Sequence, residues 1–243
     1  IFQPAEEGGG GGREMCEDGM MDRFGIQEVY GMHNWPGLSA GTFAVKSGPL
    51  MAAFDIFEIT VAGKGAHAGM PHLGIDSVVI AAHIVTALQS ISSRENDPLD
   101  AVVVSVTQVH GGDTWNVIPA KVVLRGTARS FRLPVQDTIE PAIRRIAEGV
   151  AAAYGASVEL RYERRYPSTV NHARESEIAA DVAAQIVGEA NIEHNPVPSM
   201  GAEDFSFMLQ ERPGCYVWRG NGPGQAGCML HNPNYDFNDE ILP

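Results

Sequence analysis

Asp55-Ile56-Phe57-Glu58-Ile59-Thr60-Val61 alternates, with Phe57, Ile59 and Val61 on one side and Ile56, Glu58 and Thr60 on the other. A period of two with one wetter face is the pattern of a strand whose second face alone is packed. Outward from it, Asp76 to Ile91 (DSVVIAAHIVTALQSI) has helical composition, and Asp97-Pro98 breaks it before the β-branched strand 102–106. Lys121 to Thr127 alternates again. A second helix is expected from Asp137, in a D-x-x-E arrangement with Glu140, with Ile139, Ile143, Ile146, Ala147 and Val150 along one face. Val158, Leu160 and Tyr162 against Glu159, Arg161 and Glu163 make a fourth strand. The order βαββαβ predicts a ferredoxin-like layer of two helices on an antiparallel sheet.

This unit is expected over residues 52–166, hinged at Gly48-Pro49 and Tyr166-Pro167. The flanks, residues 1–51 and 167–243, are read as two segments of one α/β layer, with Glu175 to Ala190 a helix and Cys215 to Trp218 a strand. Acids outnumber bases 30 to 17, a net charge of -13, which opposes binding to nucleic acid or to an anionic membrane surface. No apolar stretch approaches the roughly 20 residues that span a bilayer. Cys16, Cys215 and Cys228 are an odd number without framework spacing, which points to a reducing, cytoplasmic compartment.

The chemistry begins at Ile1 to Gly12, IFQPAEEGGGGG. Ile1-Phe2 suits the end of a buried strand, Pro4 cannot continue it, and the glycines open φ values closed to other residues. Glu6 and Glu7 are thus placed on a strand-end loop, where one carboxylate can bind a metal while its neighbour takes a proton from water. A solvated acidic turn is the plainer alternative. Two histidines weigh against it. His33 follows the short apolar Val29-Tyr30, and His231 lies in LHNPNYDFND. Together with the carboxylates they form the N/O set accepted by zinc, manganese, cobalt or nickel.

FQPAEE, GMHNWPG, GKGAHAG, NVIPA, SMGAEDF and LHNPNYDFND occur in an order that resembles the metal-dependent amidohydrolases and peptidases that include hippurate hydrolase, the auxin-conjugate amidohydrolases and the N-acyl-amino-acid amidohydrolases. The blocks span nearly the whole chain. The resemblance implies a zinc-peptidase-like α/β catalytic domain, present in part, whose inserted ferredoxin-like domain serves as lid and dimer surface. It implies that Glu6 is the general base and that Glu7, His33 and His231 are ligands in a site for two divalent metal ions. It implies that His67 stabilises the oxyanion in the partner subunit's site. Asn116 and Arg129 match positions that hold the substrate's carbonyl or carboxylate, a role that suits a guanidinium fork. For Arg129 a surface ion pair is the competing role. Gly201 and Glu203 are expected to open a helix whose amides receive an anion or line the acyl pocket, against the alternative of a simple cap.

Family members carry, upstream of the Glu pair, a Cys-Gly-His-Asp segment that supplies two further ligands. None of the three cysteines here is followed by Gly-His, and the chain opens without Met. It is therefore read as an interior piece of a longer enzyme, inactive by itself. The reaction implied is hydrolysis of an N-acyl amino acid to a carboxylic acid and an amino acid by a cytoplasmic homodimer. A peptidase or an N-succinyl-amino-acid desuccinylase of the same chemistry is the alternative. A non-catalytic module for small-molecule binding or dimerisation is the alternative of another class.

Overall fold

The computed structural model describes residues 1–222 and 228–242. The chain divides into two compact units, Ile1–Ala52 with Ser168–Pro243, and Ala53–Pro167. The first unit opens with helices α1 (Gly11–Glu17) and α2 (Met20–Arg23), then strands β1 (Val29–Trp35), β2 (Phe43–Val45) and β3 (Gly48–Met51). Ile1 and Phe2, expected at a buried strand end, form no strand and are exposed. Among the described residues no neighbouring strand takes up their backbone hydrogen bonds. Gly48-Pro49, expected as a hinge, lies within β3, and the boundary between the two units falls between Ala52 and Ala53.

The second unit runs β4 (Ala53–Ala62), β5 (Ala66–His67), α3 (Ser77–Leu88), β6 (Val102–His110), β7 (Val117–Ile118), β8 (Lys121–Ser130), α4 (Leu133–Ala153) and β9 (Ser157–Tyr166). Its four long strands lie in the order β6-β8-β4-β9, every pair antiparallel. Alternation in β4 sends Phe57, Ile59 and Val61 into a core with Ile80, Ile84 and Leu88 of α3 and Ile139 and Ile143 of α4. Ile59 is wholly buried, so Ile59→Ala would cost about 2–5 kcal/mol. Asp76 caps α3 by accepting from the amides of Val78 and Val79. The expected start of α4 is corrected: the helix begins at Leu133, with Pro134 in its first turn, where a missing N–H costs nothing. Asp137 is therefore inside the helix, and its carboxylate pairs with Arg164 at 2.7 Å instead of forming a capping box.

The chain re-enters the first unit through β10 (Thr169–Asn171), α5 (Ala173–Val187), β11 (Ile192–His194), α6 (Phe205–Glu211) and β12 (Gly214–Gly220). The sheet order is β1-β12-β2-β11, with β1 parallel to β12, while β10 pairs separately with β3. Strand alternation divides this sheet's two faces. Tyr30, Met32, Cys215 and Val217 line an apolar groove beside α5. On the opposite face Tyr216 and Trp218 pack with Phe205, Met208 and Leu209 of α6. The register sets His33 opposite Trp218 and Gly31 opposite Tyr216. Gly31 is required there, since a Cβ would fall 2.7 Å from the Tyr216 ring.

Candidate active site

The loop that carries the glutamate pair is held by its own backbone. Ala5 adopts a left-handed φ of 60°, uncommon for a residue with a Cβ, and turns the chain immediately before Glu6. The glycine run lets the chain fold back: a Cβ on Gly11 would lie 1.8 Å from the Pro4 carbonyl oxygen. Asp204 anchors both sides of the loop, accepting from the Gln3 side chain at 2.5 Å and from the Gly12 amide at 2.8 Å.

Glu6 and Glu7 enter different surroundings. Carboxylate oxygens of Glu6, Glu203 and Asp204 lie within 4.8 Å of one another, and Glu203 and Asp204 are buried. Burial, and then the negative charges of Glu203, Glu7 and Asp204, push the Glu6 carboxyl up to about 7, against a hydrogen bond from the Asp204 backbone. Glu7 instead faces His231, whose Nδ1 is 3.8 Å from Glu7 Oε2. His231 is itself left-handed, at φ 63°. Two of the three non-glycine residues with positive φ among the described ones thus belong to this loop and to this pair.

His33 lies on β1 with its Nδ1 2.6 Å from the Asn34 carbonyl oxygen. A carbonyl only accepts, so Nδ1 carries the proton and Nε2 keeps its lone pair, the arrangement of a histidine prepared for a metal. The Asn34 side chain bonds the Tyr235 hydroxyl, which ties the segment carrying His231 to the end of β1.

The residue types fit a divalent ion, and the spacing fits in part. Glu7 and His231 are near the roughly 3.5 Å that separates two ligands on one zinc-sized ion. His33 has its Nδ1 engaged by the Asn34 carbonyl, which makes Nε2 its candidate ligand atom. Among the described residues, though, the ligand atoms gathered most tightly are those of Glu6, Glu203 and Asp204, and His33 is not drawn into one close trio with Glu7 and His231.

Glu203 and Asp204 were legible only as a helix opening. The helix α6 starts later, at Phe205, and Glu203 Oε1 accepts from the Phe205 amide at 3.3 Å, a contact of the kind expected of a simple cap. Gly201 lies outside the helix, and its carbonyl accepts from the Ala52 amide at 2.9 Å. Tyr216 went unread altogether. Its hydroxyl donates to Glu203 Oε2 at 2.5 Å, and Asn171 fixes its backbone through bonds to both its amide and its carbonyl. The usable signal was the second acid pair, Glu203-Asp204, which answers Glu6-Glu7.

In the second unit, the β5–β7 ribbon sets His67 opposite Val117, and the Asn116 carbonyl accepts from the Ala68 amide at 2.9 Å. His67 is exposed, with Nδ1 accepting from the Gly69 amide at 3.1 Å, which leaves the ring N–H on Nε2. Arg129, on β8, lies over the ring of Phe54 at 4.2 Å.

Over residues 1–243 the chain matches the model of Peptidase family M20/M25/M40, and it belongs to that family. It is 40% identical over 242 residues to an N-acetylcysteine deacetylase of Bacillus subtilis, covering 100% of this chain and 62% of that protein. It is 35% identical over 241 residues to the hippurate hydrolase of Campylobacter jejuni, covering 99% and 62%. Among solved structures it resembles the Bacillus subtilis YXEP protein, described as a dinuclear metal binding peptidase of this family, with a TM-score of 0.79 and 35% identity over 99% of this chain and 60% of that one. The chain thus spans less than two thirds of the length of these relatives.

Proposed function

We propose that the parent protein is a metal-dependent amidohydrolase that cleaves the amide bond of N-acyl amino acids. The observation that carries the reading is the divergence of two adjacent carboxylates, Glu6 towards Glu203 and Asp204 and Glu7 towards His231. Adjacent acids in unlike surroundings take unlike roles. The names of the relatives, which include a deacetylase and a hippurate hydrolase, favour linear N-acyl amino acids as substrates.

In this reading Glu7, His33 and His231 are ligands for divalent metal, in a site of two ions (Zn, Mn, Co or Ni) that takes further ligands from outside these 243 residues. A divalent ion in such a site acidifies water and polarises a carbonyl. Glu6 accepts the proton of the attacking water and returns it to the leaving amine. Glu203 and Asp204 hold Glu6 and its loop in place. The Nε2 proton of His67 stabilises the developing oxyanion of a second subunit's substrate. Asn116 and Arg129 bind the substrate's carbonyl and carboxylate, and Gly201 lines the acyl side. The residues 52–166 form the ferredoxin-like lid and dimerisation domain between catalytic segments 1–51 and 167–243. A cytoplasmic setting belongs to the same reading and rests on three free cysteines.

The test is turnover by the full-length parent protein of N-acetyl and N-benzoyl amino acids, before and after chelation. Hydrolysis that stops with a chelator and returns with added zinc or manganese supports the reading. No hydrolysis of any of them by metal-loaded protein would overturn it.

A further inference from the structure

His231 sits on a stretch of chain that depends on side chains for its place. The described residues 228–242 contain one short 3-10 turn, Asp239–Ile241, and no strand. Among the described residues, the backbone-to-backbone hydrogen bonds of 229–242 all close within that stretch, from Asn232 to Met229, Tyr235 to Asn232, Ile241 to Asn238 and Leu242 to Asp239. Two asparagines bond it to the sheet. Asn34 donates to the Tyr235 hydroxyl. Asn221 takes two backbone groups: its Oδ1 accepts from the Asn238 amide at 3.0 Å, and its Nδ2 faces the Asp236 carbonyl oxygen at 3.5 Å. A main-chain amide only donates, which fixes the way the Asn221 side chain points. Asn221 is itself held firmly. It is 1% exposed, its own amide donates to the Trp35 carbonyl at 3.1 Å, and the amides of Gly220 and Gly222 on either side donate to Thr42 and Leu38 at 2.9 Å. Trp35 ends β1, two residues beyond His33.

We propose that Asn221 is a positioning residue for His231: it fixes the segment behind this histidine in the frame of the strand that carries His33, so that the imidazole meets a divalent ion with little ordering left to do. The inference rests on the reading of His231 as a metal ligand. An exposed histidine on an untied loop loses conformational freedom when it takes an ion, and that loss weakens the affinity. A segment pinned beforehand has already lost it. A buried asparagine that spends its amide on backbone 15 and 17 positions further on, and makes no bond to its own neighbours with it, is placed for that task. The Asn34–Tyr235 bond is a second tie to the end of the same strand, nearer in sequence to His231.

The experiment measures the zinc affinity of the full-length parent protein by competition with a chromophoric chelator, beside thermal unfolding of the metal-free protein, which reports general damage separately. Asn221→Leu, which keeps bulk but no polar atom, should weaken zinc binding about tenfold, and its turnover should return at raised zinc concentration. Asn221→Asp, which keeps an oxygen for the Asn238 amide, and Tyr235→Phe, which cuts only the second tie, should each weaken it about threefold. His231→Ala should weaken it more than any of these, and Asn221→Leu in the His231→Ala background should add nothing. If His231→Ala weakens zinc binding while Asn221→Leu binds as the wild type does, Asn221 is ordinary packing and the proposal fails with the ligand reading intact. It fails in the same way if Asn221→Leu has its full effect with His231 already removed. Should Asn221→Leu not fold, wild-type affinity in both Asn221→Asp and Tyr235→Phe overturns the proposal. Unchanged zinc binding in His231→Ala would remove the ligand itself, and the positioning role with it.

Discussion

Glu203 accepts a 2.5 Å hydrogen bond from the hydroxyl of Tyr216, and both residues are buried. Burial raises the Glu203 pKa, and the Tyr216 bond opposes that rise by favouring the carboxylate. The acid cluster beside Glu6 is therefore supported from beneath by a phenol on β12, which Asn171 in turn fixes by its backbone. Tyr216→Phe should destabilise the first unit by about 1–3 kcal/mol, the cost of leaving a buried acceptor short of a donor. Chemical denaturation checks this, and a variant as stable as the wild type would contradict it.

The glycine run makes a second prediction. Gly11→Ala places a methyl group 1.8 Å from the Pro4 carbonyl oxygen, where only backbone movement relieves it. The loop from Pro4 to Glu7 must shift, at a cost of about 1–3 kcal/mol. In the full-length parent the expected result is a folded protein with reduced turnover, measured beside its thermal unfolding. Gly8→Ala is the control, because a Cβ there meets nothing within 4 Å.

Asp55 supplies a pH dependence of unusual sign. Its buried carboxyl accepts from Gln136 at 2.8 Å and from Tyr162 at 2.6 Å, yet burial outweighs both bonds and raises its pKa above the ordinary 3.8. Between the unfolded value and the raised folded value the native state binds more protons than the unfolded chain, so this group's contribution to stability falls as pH rises through that window. Unfolding of the wild type and of Asp55→Asn, followed by denaturant at a series of pH values, should show the wild type gaining on the variant as pH falls towards 4. Parallel curves would contradict the assignment.

If His67 serves a second subunit's site, two defective proteins should partly rescue one another. Mixed dimers of Glu6→Gln and His67→Ala in the parent protein contain one site with both groups intact. Recovered turnover after subunit exchange is the expected outcome. Demonstrated heterodimers without recovery would show that His67 acts within its own chain or not in catalysis.

Much of this chain was legible because its patterns are local. Alternation in Asp55 to Val61 and in Lys121 to Thr127 marked β4 and β8, and only their lengths were underestimated, as both run to ten residues. Helix starts were harder. Asp137 looked like a cap, but Pro134 can open a helix three residues earlier, and a D-x-x-E spacing does not say which acid is needed at a terminus. Ile1-Phe2 looked buried because apolar residues suit a strand, while strand formation depends on a neighbour that local sequence does not specify. At the candidate site the glutamate pair and the two histidines were visible as motifs. The contribution of Tyr216, 210 positions from Glu6, was not, since no local rule connects them.

If Glu6 is the base and Glu7 a metal ligand, metal content and turnover separate in Glu6→Gln and Glu7→Gln forms of the full-length parent. Glu6→Gln should keep wild-type metal stoichiometry while its turnover falls by about 10²–10⁴-fold, the usual worth of a general base. Glu7→Gln should lose metal affinity and recover activity only at raised metal concentration. Wild-type turnover in Glu6→Gln, or metal loss on its substitution rather than on that of Glu7, would overturn this division of roles.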